Sequence, residues 1–125
     1  MIWQTWRGLC VGQFILLLLL YTYLSLTGTP GVHVPLYNDK LMHFTGYTVA
    51  GLSLSAAAPH WRLMNKWLFL LGYSSLIEVI QHWVPVREFS LGDILANSLG
   101  AWAGISLGRL LPKRWLSTDH RASRR

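Results

Sequence analysis

Four apolar stretches, Gly8–Leu26, Lys40–Ala58, Lys66–Val84 and Gly92–Leu111, make up most of this 125-residue chain. Each is about 20 residues long. A helix rises ~1.5 Å per residue, so each stretch matches the ~30 Å hydrocarbon core of a bilayer. Turn formers separate them: Thr27-Gly28-Thr29-Pro30-Gly31, then Pro59, then Pro85. The pattern predicts an all-α integral membrane four-helix bundle, with helices near 8–26, 40–58, 66–84 and 92–111. One domain is expected over 1–116, followed by a basic tail at 117–125. A barrel is excluded because no segment alternates polar and apolar residues over about ten positions. Only 13% of residues are charged, against roughly 25% in soluble domains.

The net charge of +6 would fit a nucleic-acid binder if it formed a patch, but it is distributed by topology. Arg7, Arg62, Lys66, Arg109, Lys113, Arg114, Arg121, Arg124 and Arg125 fall on one side of two helical hairpins. Only Lys40 and Arg87 fall on the other. The positive-inside rule then places both termini in the cytoplasm, and the loops 28–38 and 85–91 outside. Trp3, Trp6, Trp61, Trp67 and Trp115 mark the same inner boundary, and Tyr23, Tyr37 and Trp83 the outer one. The basic tail reads as an orientation and headgroup device, with no nucleic-acid partner. The first stretch is too long for a signal-peptide core and is expected to stay as a helix. Cys10, the single cysteine, reads as a small buried residue.

Against this background the polar residues inside the stretches stand out. Asp39, His43 and Tyr47 repeat at i, i+4. Glu78 meets Gln81 and His82 at i+3 and i+4, and Asp93 meets Asn97 at i+4. Residues so spaced share one helix face. The second and fourth helices start at the outer side and the third ends there, so all three stripes point to one place. Arg87 and Glu88 lie in the loop above it. An intramembrane Asp costs ~2.5–3.5 kcal/mol on insertion scales, so such residues face a protein interior and mark function. Simpler roles compete. Asn38 or Asp39 suits the cap of the second helix, and Ser90 or Asp93 that of the fourth. Gln81 and Asn97 suit interhelical hydrogen bonds. Gly100, Gly104 and Gly108 form a small-xxx-small stripe for close helix packing. A shift of 54 residues superimposes Asp39, Leu41 and Gly46 on Asp93, Leu95 and Gly100; three matches do not define a repeat.

Two strings carry a more specific signal. They are Asp39-Lys40-x-x-His43-Phe44-x-x-Tyr47 and Glu78-x-x-Gln81-x-x-x-Pro85-x-Arg87-x-x-Ser90-x-x-Asp93-x-x-x-Asn97-x-x-Gly100-x-x-x-Gly104. In order and spacing they resemble the VanZ-like family of small bacterial membrane proteins, over the last three helices. The family is named for a protein that lowers susceptibility to the glycopeptide teicoplanin. The resemblance implies a multi-pass protein of the bacterial inner membrane with a shared polar signature at Asp39, Lys40, His43, Glu78, Gln81, Arg87, Asp93 and Asn97. It implies no mechanism. His82 and Glu88 join the set from spacing alone.

Three functions fit these residues. The first is a site at the outer face that binds or modifies a membrane lipid or lipid-linked envelope precursor. Lys40 and Arg87 would contact phosphate, with Asp39, Gln81, Asp93 and Asn97 as further binding residues. Glu78 and His43 would form an acid–base pair. The second is a metal site from His43, Glu78, His82 and Asp93. No close histidine pair fixes its geometry, so neither a metal nor another cofactor is expected. The third is a scaffold or partner subunit whose polar residues pair helices, within a homo-oligomer or beside another membrane protein.

Overall fold

A computed structural model describes residues 2–27, 36–84 and 90–112. It contains four helices: α1 (Ile2–Leu26), α2 (Leu36–Ala57), α3 (Leu63–Gln81) and α4 (Leu91–Gly108). The described residues contain no strand. Arg87, Glu88, His33 and the tail from position 113 lie outside them.

The helix ends follow local chemistry. Ser90 is the N-cap of α4, in extended conformation, and its Oγ accepts the N–H of Asp93 at 3.2 Å. Asp93 is therefore an interior first-turn residue, freed from the capping role that its position allowed. Helix α2 begins at Leu36, which puts Asp39 in its first turn rather than at its cap. A carboxylate in either place favours the positive end of the helix dipole. Pro59 follows the end of α2, and Arg7 reaches from α1 to the last carbonyls there, donating to Ala57 O at 3.2 Å. This satisfies acceptors that a helix end leaves open. Helix α3 stops at Gln81, and His82 and Trp83 form a turn beyond it.

The α2–α4 pair is the spine of the molecule. The two helices run parallel and approach closely because small residues line the seam. Gly100 faces the backbone of Phe44, Gly104 that of Thr48, and Gly108 the side chain of Ser55. Gly51 faces back, and a Cβ there would sit 2.7 Å from Ala101 O. Ala50 and Ala101 fill the rest of the seam without exposure. Lys40 pairs with Asp93 and His43 with Asn97 across the same seam.

Helices α1 and α3 pack on this spine through aromatic and polar contacts. The rings of Tyr21, Tyr47 and Tyr73 step from α1 through α2 to α3, with centroids 6.3 and 6.4 Å apart. Tyr21 donates to Gly46 O at 2.7 Å, and Tyr73 to Leu18 O at 3.0 Å. Trp67 of α3 donates to Ser98 O of α4 and meets Trp102 edge to face.

Large apolar side chains point outward from all four helices, among them Leu16, Leu19, Val49, Leu76, Leu99 and Leu107. Inside, Phe14, Leu54, Leu70 and Ile105 share the core with small and polar residues, among them Ala50, Ser74, Glu78, Asn97 and Ala101. Outward leucines around a partly polar interior suit a lipid solvent, in which packing and hydrogen bonds hold helices together. By length and composition, residues 4–26 and 63–81 are apolar enough to cross a membrane. The α2 and α4 segments do not reach that hydropathy, since polar residues and glycines interrupt them.

Candidate functional site

Parallel α2 and α4 bring their N-terminal turns together, and antiparallel α3 delivers its C-terminal turn to the same end. Asp39, Lys40 and His43 come from α2, Ser90, Asp93 and Asn97 from the start of α4, and Ser74 and Glu78 from α3. The stripes inferred from spacing do meet.

Lys40 Nζ forms an ion pair with Asp93 Oδ1 and donates to Ser90 Oγ at 3.1 Å. It also lies 3.8 Å from Asp39 Oδ2. The His43 ring stands beside the two aspartates. Its Nε2 is 3.7 Å from Asp39 Oδ1 and 3.5 Å from Asp93 Oδ2. Its Nδ1 is hydrogen-bonded to Asn97 Oδ1 at 2.9 Å. Asn97 Nδ2 in turn donates to Ser74 Oγ at 2.6 Å. The path His43–Asn97–Ser74 thus crosses α2, α4 and α3 in succession and fixes the imidazole plane. Ser74 was missing from the expected set, although it lies four residues before Glu78 on the same stripe.

Glu78 is 1% exposed. Its Oε2 accepts the backbone N–H of Ser90 at 3.2 Å, tying the end of α3 to the start of α4. Glu78 and His43 are not hydrogen-bonded to each other. The expected acid–base pair is not joined by a direct hydrogen bond; His43 Nδ1 is held by Asn97 and its Nε2 faces the two aspartates. Gln81 is buried, donates to Ser25 O of α1 at 2.8 Å, and anchors α1 beside the cluster. His82 departs from expectation. It is exposed in the turn after α3, edge-on to Trp83 at 5.8 Å. His82 is the C-cap of α3 and keeps helical backbone angles, yet its ring is exposed against Trp83 and takes no part in the cluster. The metal set built on His82 falls with it. Among the described residues, the three groups close enough to share an ion are Asp39, His43 and Asp93.

A cleft of about 210 Å³ opens beside this cluster, between α1, α2 and α3. Asp39, His43, Gln81 and Tyr47 form its polar side. Leu24 and Met42 form an apolar lip, and they are 54% and 63% exposed.

No curated protein and no solved structure matches this chain. The family model VanZ/LLP1 matches residues 9–112, from the first turns of α1 to beyond the end of α4. Because that match takes in all four helices and the whole polar cluster, the chain belongs to the VanZ/LLP1 family.

Proposed function

We propose that this protein crosses the bacterial inner membrane four times, with both termini in the cytoplasm, and binds the headgroup of an envelope lipid or lipid-linked precursor at its outer end. The cleft carries the reading. Asp39, His43, Tyr47 and Gln81 give it a polar side, and Leu24 and Met42 give it an apolar, exposed lip. A soluble ligand has no use for such a lip, whereas a lipid can enter sideways, chain past Leu24 and Met42 and headgroup against His43 and Asp39. The basic asymmetry supports the orientation, and the outward leucines on every helix support the four spans.

The geometry shifts the roles within this reading. Lys40 is held by Asp93 and is less free for phosphate; Arg87, outside the described residues, keeps the phosphate role its planar fork suits. Binding is better supported than chemistry. An acid–base role for His43 would run with Asp39 and Asp93 rather than with Glu78. A scaffold role is the second reading, and the His43–Asn97–Ser74 path favours it, since that path joins three helices with internal partners.

Lipids retained by the protein after gentle extraction, identified by native mass spectrometry, test the binding. A defined phospholipid or lipid-linked saccharide is expected on the wild type and should be lost in Met42→Trp, which fills the lip. An equal lipid complement on both would remove the cleft from consideration. Orientation has its own test. With Cys10 replaced by serine, His120→Cys is expected to react with a membrane-permeant maleimide and not with an impermeant one in intact cells. Labelling from outside would invert the topology and move the site to the cytoplasmic face.

A further inference from the structure

We propose that Asp39, His43 and Asp93 form a binding site for one divalent metal cation. One atom from each, His43 Nε2 and a carboxylate oxygen of each aspartate, lies within 4.8 Å of the other two. The separations of 3.5 and 3.7 Å from Nε2 to the two carboxylates are too long for hydrogen bonds. They are close to the spacing of neighbouring ligands on one ion, since bonds of about 2.0–2.2 Å set ligand atoms roughly 3–3.5 Å apart.

The remaining atoms of the three ligands are engaged in a way that turns the ligating atoms toward one point. His43 uses Nδ1 on Asn97, which is itself held by Ser74. Metal-binding histidines are oriented in this manner by a partner on the second nitrogen. Lys40 takes Asp93 Oδ1 and lies nearest Asp39 Oδ2. Asp93 Oδ2 and Asp39 Oδ1 are left on the His43 side. Lys40 therefore takes one oxygen of each carboxylate and leaves the other toward the imidazole.

One nitrogen and two oxygens suit Zn²⁺ or Mn²⁺. Three protein ligands leave a coordination position open, and Asp39 and His43 also line the cleft, so a molecule seated there would reach the ion. The proposal deepens the headgroup reading and rests on it in one respect. A divalent cation supplies the positive charge for a phosphate that Lys40, tied to Asp93, does not.

The test uses the full chain in detergent, stripped with chelator and titrated with Zn²⁺ and, separately, Mn²⁺. Calorimetry and elemental analysis are expected to give about one equivalent per chain. Asn97→Leu, which frees the ring, is expected to lower affinity about 10–100-fold, as loss of an outer-shell partner does. His43→Gln and Asp39→Asn should lower it further, while His82→Gln stays at the wild-type value. Asp39 is part-exposed at the rim, so its variant keeps the fold, checked by an unchanged melting temperature. Co²⁺ added to the wild type should show a visible absorption band that Asp39→Asn weakens. Absence of saturable binding, or equal affinity in wild type, His43→Gln and Asp39→Asn, would overturn the site. The two readings fail differently. Cation binding with no lipid retained would keep the metal and remove the headgroup. Lipid lost in Met42→Trp with no cation binding would do the reverse.

Discussion

A valine at position 104 is expected to leave little folded protein in the membrane. A Cβ at Gly104 overlaps the carbonyl oxygen of Thr48, and it would lie 2.8 Å from Thr48 C and 3.0 Å from Leu52 N. All three are backbone atoms of a helix, which cannot swing aside as a side chain can. The helices would have to separate, and the α2–α4 seam joins the two halves of the site. Overpacking a core that can shift costs about 1–3 kcal/mol; here the displacement also parts Lys40 from Asp93 and His43 from Asn97. Gly72 is the control. Nothing lies within 4 Å of its Cβ position, and alanine is better than glycine in a helix by about 0.8–1 kcal/mol. Gly72→Ala should be neutral or slightly stabilising. The measurement is membrane abundance together with the melting temperature in detergent. Wild-type values for Gly104→Val would mean that α2 and α4 do not pack as described.

Glu78→Gln is expected to impair function while the protein stays folded and abundant, because its buried carboxylate holds the start of α4, from which Asp93 and Asn97 reach the site. Glutamine retains the size of the side chain and an oxygen that can accept the Ser90 N–H. What disappears is the ionisable carboxylate, buried at the junction of α3 and α4. Arg87→Lys is the companion, since it keeps the charge and removes the fork. Complementation of a deletion strain in an envelope-stress or growth assay, at matched membrane abundance, reads both. A scaffold tolerates them, because the His43–Asn97–Ser74 path and the glycine seam are intact in each. Full complementation by both variants would take Glu78 and Arg87 out of the site and favour the scaffold. Loss of function confined to Glu78→Gln would keep the buried site and take Arg87 out of it.

Several of these features are written in the chain itself. The apolar stretches fixed the number of helices, because only length and hydropathy decide that. The spacing of Asp39, His43, Glu78, Asp93 and Asn97 was enough to predict convergence, because helices of known direction must bring those faces to one end. The close α2–α4 approach was legible in Gly100, Gly104 and Gly108. Family membership was legible in the order and spacing of the polar strings.

Which atoms meet at that end was decided only by tertiary structure. Spacing puts a residue on a face but does not choose its partner across a seam. Lys40 therefore read as a free phosphate ligand and is an ion-pair partner of Asp93. Glu78 and His43 read as a pair and are held by different neighbours. His82 read as part of the stripe, yet at the end of α3 its ring turns to solvent beside Trp83. Ser74 carried no signal alone, because one hydroxyl in a helix is commonplace until an amide from another helix reaches it. A single sequence encodes periodicity along each helix; the rotation and depth at which two helices settle depend on the packing of every residue between them, here Gly51 of α2 and Gly100, Gly104 and Gly108 of α4 among them.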